Sequence, residues 1–117
     1  MRCLIVDDSA DFRDAATDML GRAGIDVVGV ACTAEEALAR YADLHPDVTL
    51  VDVELGGESG FDVVEQLHDA DDPAPSVILI STHSEQDYAE MIAESSALGF
   101  LAKFALSPNA IRGMLAR

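Results

Sequence analysis

Short apolar runs rich in β-branched residues alternate along this chain with longer stretches whose apolar residues recur at three- and four-residue steps, and few folds accommodate that alternation. The runs are Arg2 to Val6, Asp26 to Ala31, Val48 to Val51, Val77 to Ser81 and Gly99 to Leu101. Helical spacing covers Ala10 to Ala23, Ala34 to Leu44, Phe61 to Asp69, Glu85 to Ser95 and Pro108 to Ala116, each preceded by a start residue: Ser9, Thr33, Gly60, Ser84 and Ser107. Thr33 and Glu36 have capping-box spacing, in which hydroxyl and carboxylate each satisfy an orphan amide. Pro108 after Ser107 puts the residue without an amide where none is needed. In the first helix Phe12, Ala16, Met19, Leu20 and Ala23 form one stripe, and Arg13, Asp14 and Asp18 form an opposite face that reads as solvated. Near-continuous apolar strands separated by helices predict a parallel sheet covered on both faces and reached by right-handed crossovers. The expected architecture is an α/β sandwich of five βα units.

A chain of 117 residues, half of them apolar, buries one continuous core and predicts a single domain over 1–117. The formal net charge of −15 opposes approach to nucleic-acid backbones and anionic membranes. No apolar run reaches the roughly 18 residues of a membrane span, and the first strand lacks a signal-peptide layout, so a cytoplasmic location is expected. Cys3 begins the first strand and Cys32 ends the second. In a parallel sheet those positions lie about 13 Å apart at ~3.3 Å per residue, beyond disulfide reach, so both are read as reduced packing residues.

The chemistry gathers at the carboxyl ends of the strands. Asp7 and Asp8 follow Cys3-Leu4-Ile5-Val6, Asp52 follows Val48-Thr49-Leu50-Val51, and the only lysine, Lys103, follows Phe100-Leu101-Ala102. Ligands of open α/β sheets bind beyond those ends where the winding direction reverses, which for a strand order 2-1-3-4-5 falls between strands one and three. Strands roughly 4.8 Å apart would crowd the three carboxylates, raising their pKa unless a cation intervenes, and hard oxygen donors favour Mg²⁺. Three acids, one lysine and a metal point to phosphoryl chemistry.

These segments, together with Ile78-Leu79-Ile80-Ser81 and Val51-Asp52-Val53-Glu54-Leu55, resemble the receiver domains of two-component response regulators over essentially the whole chain. The resemblance implies a flavodoxin-like fold, its five-stranded parallel sheet in order 2-1-3-4-5, with Asp52 as the phosphoacceptor. It also implies Mg²⁺ held by Asp7, Asp8, Asp52 and the backbone carbonyl of Glu54. Ser81 matches the switch hydroxyl, Lys103 the phosphate-pairing lysine and Phe100 the switch aromatic, expected to turn inward behind Ser81. Glu54, Thr82 and His83 would line the path of attacking water and tune phosphate lifetime; His83 also reads as a plain exposed loop residue, and His45 and His68 as structural. The implied partners are a sensor histidine kinase and an output domain or downstream protein, which would read the surface of the fourth helix, fifth strand and fifth helix. Tyr88, Met91 and Ile92 would serve a homodimer face or, for at least two of them, the core. The chain ends directly after the fifth predicted helix, as either a stand-alone receiver or one from a longer regulator would.

Two positions depart from the family pattern. Gly56 stands where a proline usually follows the phosphoacceptor by four residues, predicting a more mobile loop. Phe104 replaces the proline that usually follows the lysine through a cis bond; cis before a non-proline costs about 2.5 to 4 kcal/mol, which leaves the resting place of Lys103 open.

Other classes fit less well. A phosphatase of the haloacid dehalogenase type needs an Asp-x-Asp motif after its first strand and length for a cap. A nucleotide-binding module needs glycines in Asp8-Ser9-Ala10-Asp11 so that backbone can approach a pyrophosphate. An unphosphorylated interaction module would not require the full set of acids, hydroxyl and lysine.

Overall fold

The computed structural model describes residues 1–70 and 75–116; Arg117, where the last predicted unit meets the chain end, lies outside them. Its five sheet strands are β1 (Arg2–Val6), β2 (Asp26–Ala31), β3 (Val48–Asp52), β4 (Val77–Ser81) and β5 (Gly99–Ala102). They are all parallel and run in the order β2-β1-β3-β4-β5, as the sequence predicts. The helices are α1 (Ala10–Arg22), α2 (Ala34–Leu44), α3 (Gly60–Ala70), α4 (Ala89–Glu94) and α5 (Pro108–Leu115).

Alternation along each strand splits the core into two layers. Cys3, Ile5, Leu50, Ile78 and Ile80 point to one face and pack on Ala16 and Leu20 of α1 and Ile111 and Met114 of α5. Leu4, Val6, Val51 and Leu79 point to the other and meet Ala37 and Tyr41 of α2 and Val63, Val64 and Leu67 of α3. Both cysteines are free, and burial pushes the Cys3 thiol up to about 12, which leaves it unreactive at neutral pH. None of the helices of the described residues is long and apolar enough to cross a membrane.

The caps form largely as the spacing predicts. Ser9, Thr33 and Ser107 accept from Phe12, Glu36 and Ala110 amides at 3.3, 3.1 and 3.0 Å. The Glu36 carboxylate, however, accepts from the Cys32 amide at 2.8 Å rather than from Thr33, so the capping box closes one residue early.

The helical segment before β5 differs from expectation. The predicted continuous helix Glu85 to Ser95 is a 3₁₀ turn, Glu85–Tyr88, followed by the six-residue α4. No residue of either piece is fully buried, and Tyr88 leaves helical geometry at φ −121°, ψ 15°. Without a full apolar stripe, helical hydrogen bonding alone does not hold one long helix here. The segment expected to be a more mobile loop carries a two-residue antiparallel pair, Glu54–Leu55 with Glu58–Ser59. Gly56 sits at φ +61°, an angle no proline can adopt, so the departure from the family pattern has a backbone reason. Glu58 ties this hairpin to α2 by accepting the Ala34 amide at 3.1 Å.

Thr49 is fully buried on β3, and its hydroxyl has no hydrogen-bond partner among the described residues. Thr49→Val should therefore stabilise the protein by about 1 kcal/mol, because it removes an unsatisfied polar group at constant shape. A higher urea midpoint with unchanged slope is the expected readout; a lower one would mean that the hydroxyl is satisfied.

Candidate functional site

Strand register assembles the site. Val6 lies opposite Val51, Asp52 opposite Ile80, and Ser81 opposite Ala102, so Asp7, Asp52, Ser81 and Lys103 converge at one edge of the sheet. Asp7 is fully buried, Asp52 nearly so, and Asp8 is exposed, yet each offers a carboxylate oxygen within 4.8 Å of the others. The Lys103 ammonium lies 2.7 Å from Asp7 Oδ2 and 3.1 Å from Asp52 Oδ2, and 4.3 Å from the centroid of the Phe12 ring. The replacement of the usual proline by Phe104 thus does not displace the lysine. The chain continues as a 3₁₀ turn, Lys103–Ala105, that leaves Phe104 90% exposed.

Backbone amides orient the acids. Asp7 Oδ1 accepts from Ser9 at 2.8 Å and Asp52 Oδ1 from Glu54 at 3.1 Å. The Lys103 ammonium at 2.7 Å is a close ion-pair partner of the buried Asp7 Oδ2. Burial raises the Asp52 carboxyl above the usual range, with the Asp7 charge adding to it; the Glu54 amide and Lys103 pull down without cancelling the rise. Crowding, the cause expected from sequence, is thus secondary to desolvation. For Lys103 burial pulls downward, but the ion pairs with Asp7 and Asp52 outweigh it and hold the ammonium above its ordinary value.

Three clustered carboxylates, two of them buried, suit a hard divalent cation of the Mg²⁺ type. Ser81 is buried at the end of β4, where its hydroxyl accepts the His83 amide at 3.0 Å. Thr82 and His83 are exposed beyond it. Phe100 is 5% exposed and its ring centroid lies 6.4 Å from that of Tyr88. The aromatic expected to turn inward is therefore already inside.

Tyr88 and Ile92 are partly buried against the core, while Met91 is 49% exposed. Spacing alone, which puts Arg13 on the solvated face, misplaces it: its guanidinium donates to the Asp7 carbonyl at 2.8 Å. It also missed Phe12 as a partner of Lys103, Gly60 as a packing constraint beneath Asp52, and the hydrogen bond from Tyr88 to Glu54. The one available signal was the position of Phe12 and Arg13, a helical turn after the Asp7-Asp8 pair.

A doubly wound parallel sheet with an acidic cluster and a lysine at its switch point defines an α/β protein that binds its ligand beyond the strand ends. The chain belongs to the response regulator receiver domain family, whose model matches residues 3–116. It is similar to the chemotaxis protein CheY of Thermotoga maritima, 30% identical over 102 residues that cover 87% of this chain and 84% of that protein. It is also similar to a protein-glutamate methylesterase/protein-glutamine glutaminase of Archaeoglobus fulgidus, 39% identical over 85 residues, or 73% of this chain but only 24% of that longer protein. Among solved structures, a two-component response regulator of the LuxR family from Aurantimonas sp. SI85-9A1 superposes with a TM-score of 0.87 at 28% identity, covering 98% of this chain and 84% of that one. The chain is thus a response regulator receiver domain of two-component signalling, a regulatory module with the acidic cluster at which its family binds Mg²⁺.

Proposed function

We propose that Asp52 accepts a phosphoryl group from the phosphohistidine of a sensor histidine kinase, and that the resulting aspartyl phosphate switches the surface formed by α4, β5 and α5. The observation that carries this reading is the convergence of Lys103 on Asp7 and Asp52 at 2.7 and 3.1 Å. Asp7, Asp8, Asp52 and the Glu54 carbonyl would hold Mg²⁺. Bound there, the ion supplies positive charge that lets two anions approach each other.

An Asp52 carboxylate oxygen attacks phosphorus as the bond to the imidazole nitrogen breaks, and that nitrogen keeps the electron pair. Lys103, already charged and placed between the acids, shifts toward a phosphoryl oxygen as Asp52 gives up its negative charge to the new acyl phosphate bond. Ser81 exchanges its contact with the His83 amide for a hydrogen bond to another phosphoryl oxygen. Charge-assisted hydrogen bonds at ~1.5 to 3 kcal/mol each are enough in small number to supply the roughly 5.5 kcal/mol that moves a two-state domain from 1:99 to 99:1. Since Phe100 is already buried, Ser81 and the loop after β4 are the moving parts, and Phe100 holds the inner wall against which they move. Glu54, Thr82 and His83 border the approach of water and set phosphate lifetime. Residues 1–117 act as a single receiver unit in the cytoplasm, driving an output domain or partner, with α4 available to a second copy, and without turning over a free substrate.

Intact-mass measurement after incubation with Mg²⁺ and acetyl phosphate tests the reading. One phosphoryl group is expected on the wild type and none on Asp52→Ala, and the label should decay with time. Equal labelling of both, turnover of a small phosphoester, or no label from either acetyl phosphate or a phosphorylated kinase would overturn it.

A further inference from the structure

The Tyr88 hydroxyl donates to Glu54 Oε1 at 2.9 Å across 34 residues of chain. Glu54 stands two residues beyond Asp52, and its amide is already bound to Asp52 Oδ1, so the backbone beneath this side chain is fixed at the lip of the site. The ring of Tyr88 is fixed as well: its centroid lies 6.0 Å from Phe61, 6.0 Å from His83 and 6.4 Å from Phe100. A cavity of about 330 Å³ lined by Glu54, Gly56, Gly57, Phe61, Tyr88 and Met91 opens beside the pair. The phenol therefore draws the Glu54 carboxylate toward α4.

Charge makes that placement consequential. Asp7, Asp8 and Asp52 already crowd the site, and Lys103 is the cation among them. A fourth carboxylate swinging over Asp52 would repel an anionic phosphoryl donor. Between residues 41 and 102 the sequence has no lysine or arginine, so this half of the chain offers no such cation to hold Glu54 aside. A neutral phenol does it instead.

We propose that Tyr88 is a positioning residue that holds the Glu54 carboxylate clear of the path to Asp52, and so sets how fast a phosphoryl donor reaches it. The inference rests on the reading of Asp52 as the phosphoacceptor. It predicts that a freed Glu54 slows arrival of the donor, since one charge roughly 6 Å from another at a largely aqueous dielectric of about 60 changes an encounter by about five-fold.

The test measures labelling rates with Mg²⁺ and acetyl phosphate for the wild type, Tyr88→Phe, Glu54→Gln and the double variant. Tyr88→Phe keeps the ring and should label about five-fold more slowly than the wild type. In the double variant that deficit should vanish, because the charge that repels the donor is gone. The deficit should also shrink at 1 M salt, where screening acts within about 3 Å, and a purely structural defect would not respond in that way. Equal rates for wild type and Tyr88→Phe, or a deficit that persists in the Glu54→Gln background, would overturn the proposal while leaving Asp52 as the phosphoacceptor. A wild type that never labels would remove that reading and this inference together.

Discussion

Gly60→Ala should cost about 3 kcal/mol or more of folding stability, near the upper end for a single substitution. A Cβ at this position would lie 2.1 Å from the Asp52 carbonyl oxygen, 2.8 Å from the Asp52 carbonyl carbon and 2.9 Å from the Val53 Cα. All three are backbone atoms, so no side chain can rotate out of the way. The Gly60 amide also donates to the Val53 carbonyl at 2.7 Å, which clamps the start of α3 onto the end of β3. Relief requires one of those elements to move, and moving β3 moves Asp52. The variant should therefore unfold at lower urea and also bind Mg²⁺ more weakly. Gly57→Ala is the control: an added Cβ meets nothing within 4 Å, and its cost should stay within about 1 kcal/mol. Equal midpoints for the two variants would contradict the packing described for Gly60.

Lys103→Met should cost about 2 to 3 kcal/mol at neutral pH in the absence of metal. It leaves Asp7 and Asp52 buried and close together with no cation between them. Breaking a buried pair by removing one partner is strongly destabilising. The loss stays at the low end of that range because Asp52, whose pKa is already raised, can take up a proton. Methionine preserves the packing against Phe12, so the loss reports charge. Mg²⁺ should recover more stability in this variant than in the wild type, since it replaces the missing positive charge.

The pH dependence separates the two groups. Folding raises the pKa of Lys103, so its contribution is fully present below the unfolded value of about 10.4 and is lost as pH rises through the higher folded value. Folding raises the pKa of Asp52 as well. An ionised Asp52 therefore opposes folding at neutral pH, and that penalty is relieved as pH falls through its raised value. The wild type should lose stability above about pH 10.4 by an amount that Lys103→Met does not. The gap between the two proteins should narrow on mild acidification. Thermal unfolding followed across pH measures both limbs, and a constant gap from acid to alkali would rule out the ion pair as its origin.

The five strands, most helix limits and the convergence of Asp7, Asp8, Asp52, Ser81 and Lys103 were legible because they rest on local rules. Apolar periodicity decides strand against helix within a window of a few residues. A parallel sheet then brings the carboxyl ends of β1, β3, β4 and β5 to one edge whatever else the chain does. The same alternation makes Cys3 and Ile5 face away from Leu4 and Val6, and strand order with right-handed crossovers then decides which helices cover each face.

Other features depend on contacts between distant segments, which no window contains. Arg13 turns from the face assigned to solvent because the Asp7 carbonyl lies within reach, and a long polar side chain goes to whichever acceptor the fold presents. The fourth helix breaks at Tyr88, where three rings and a carboxylate from other segments surround the side chain. Gly60 looks like an ordinary helix start until β3 is placed beneath it. By itself the sequence determined the α/β class and which acids follow the strand ends, because side-chain period and strand polarity are short-range properties, while the strand order was legible only through the resemblance to receiver domains. Only the tertiary structure decided where Lys103 rests, that Phe100 is already inside, and that Tyr88 holds Glu54, because each of those is a choice among partners that folding alone brings within a few ångström.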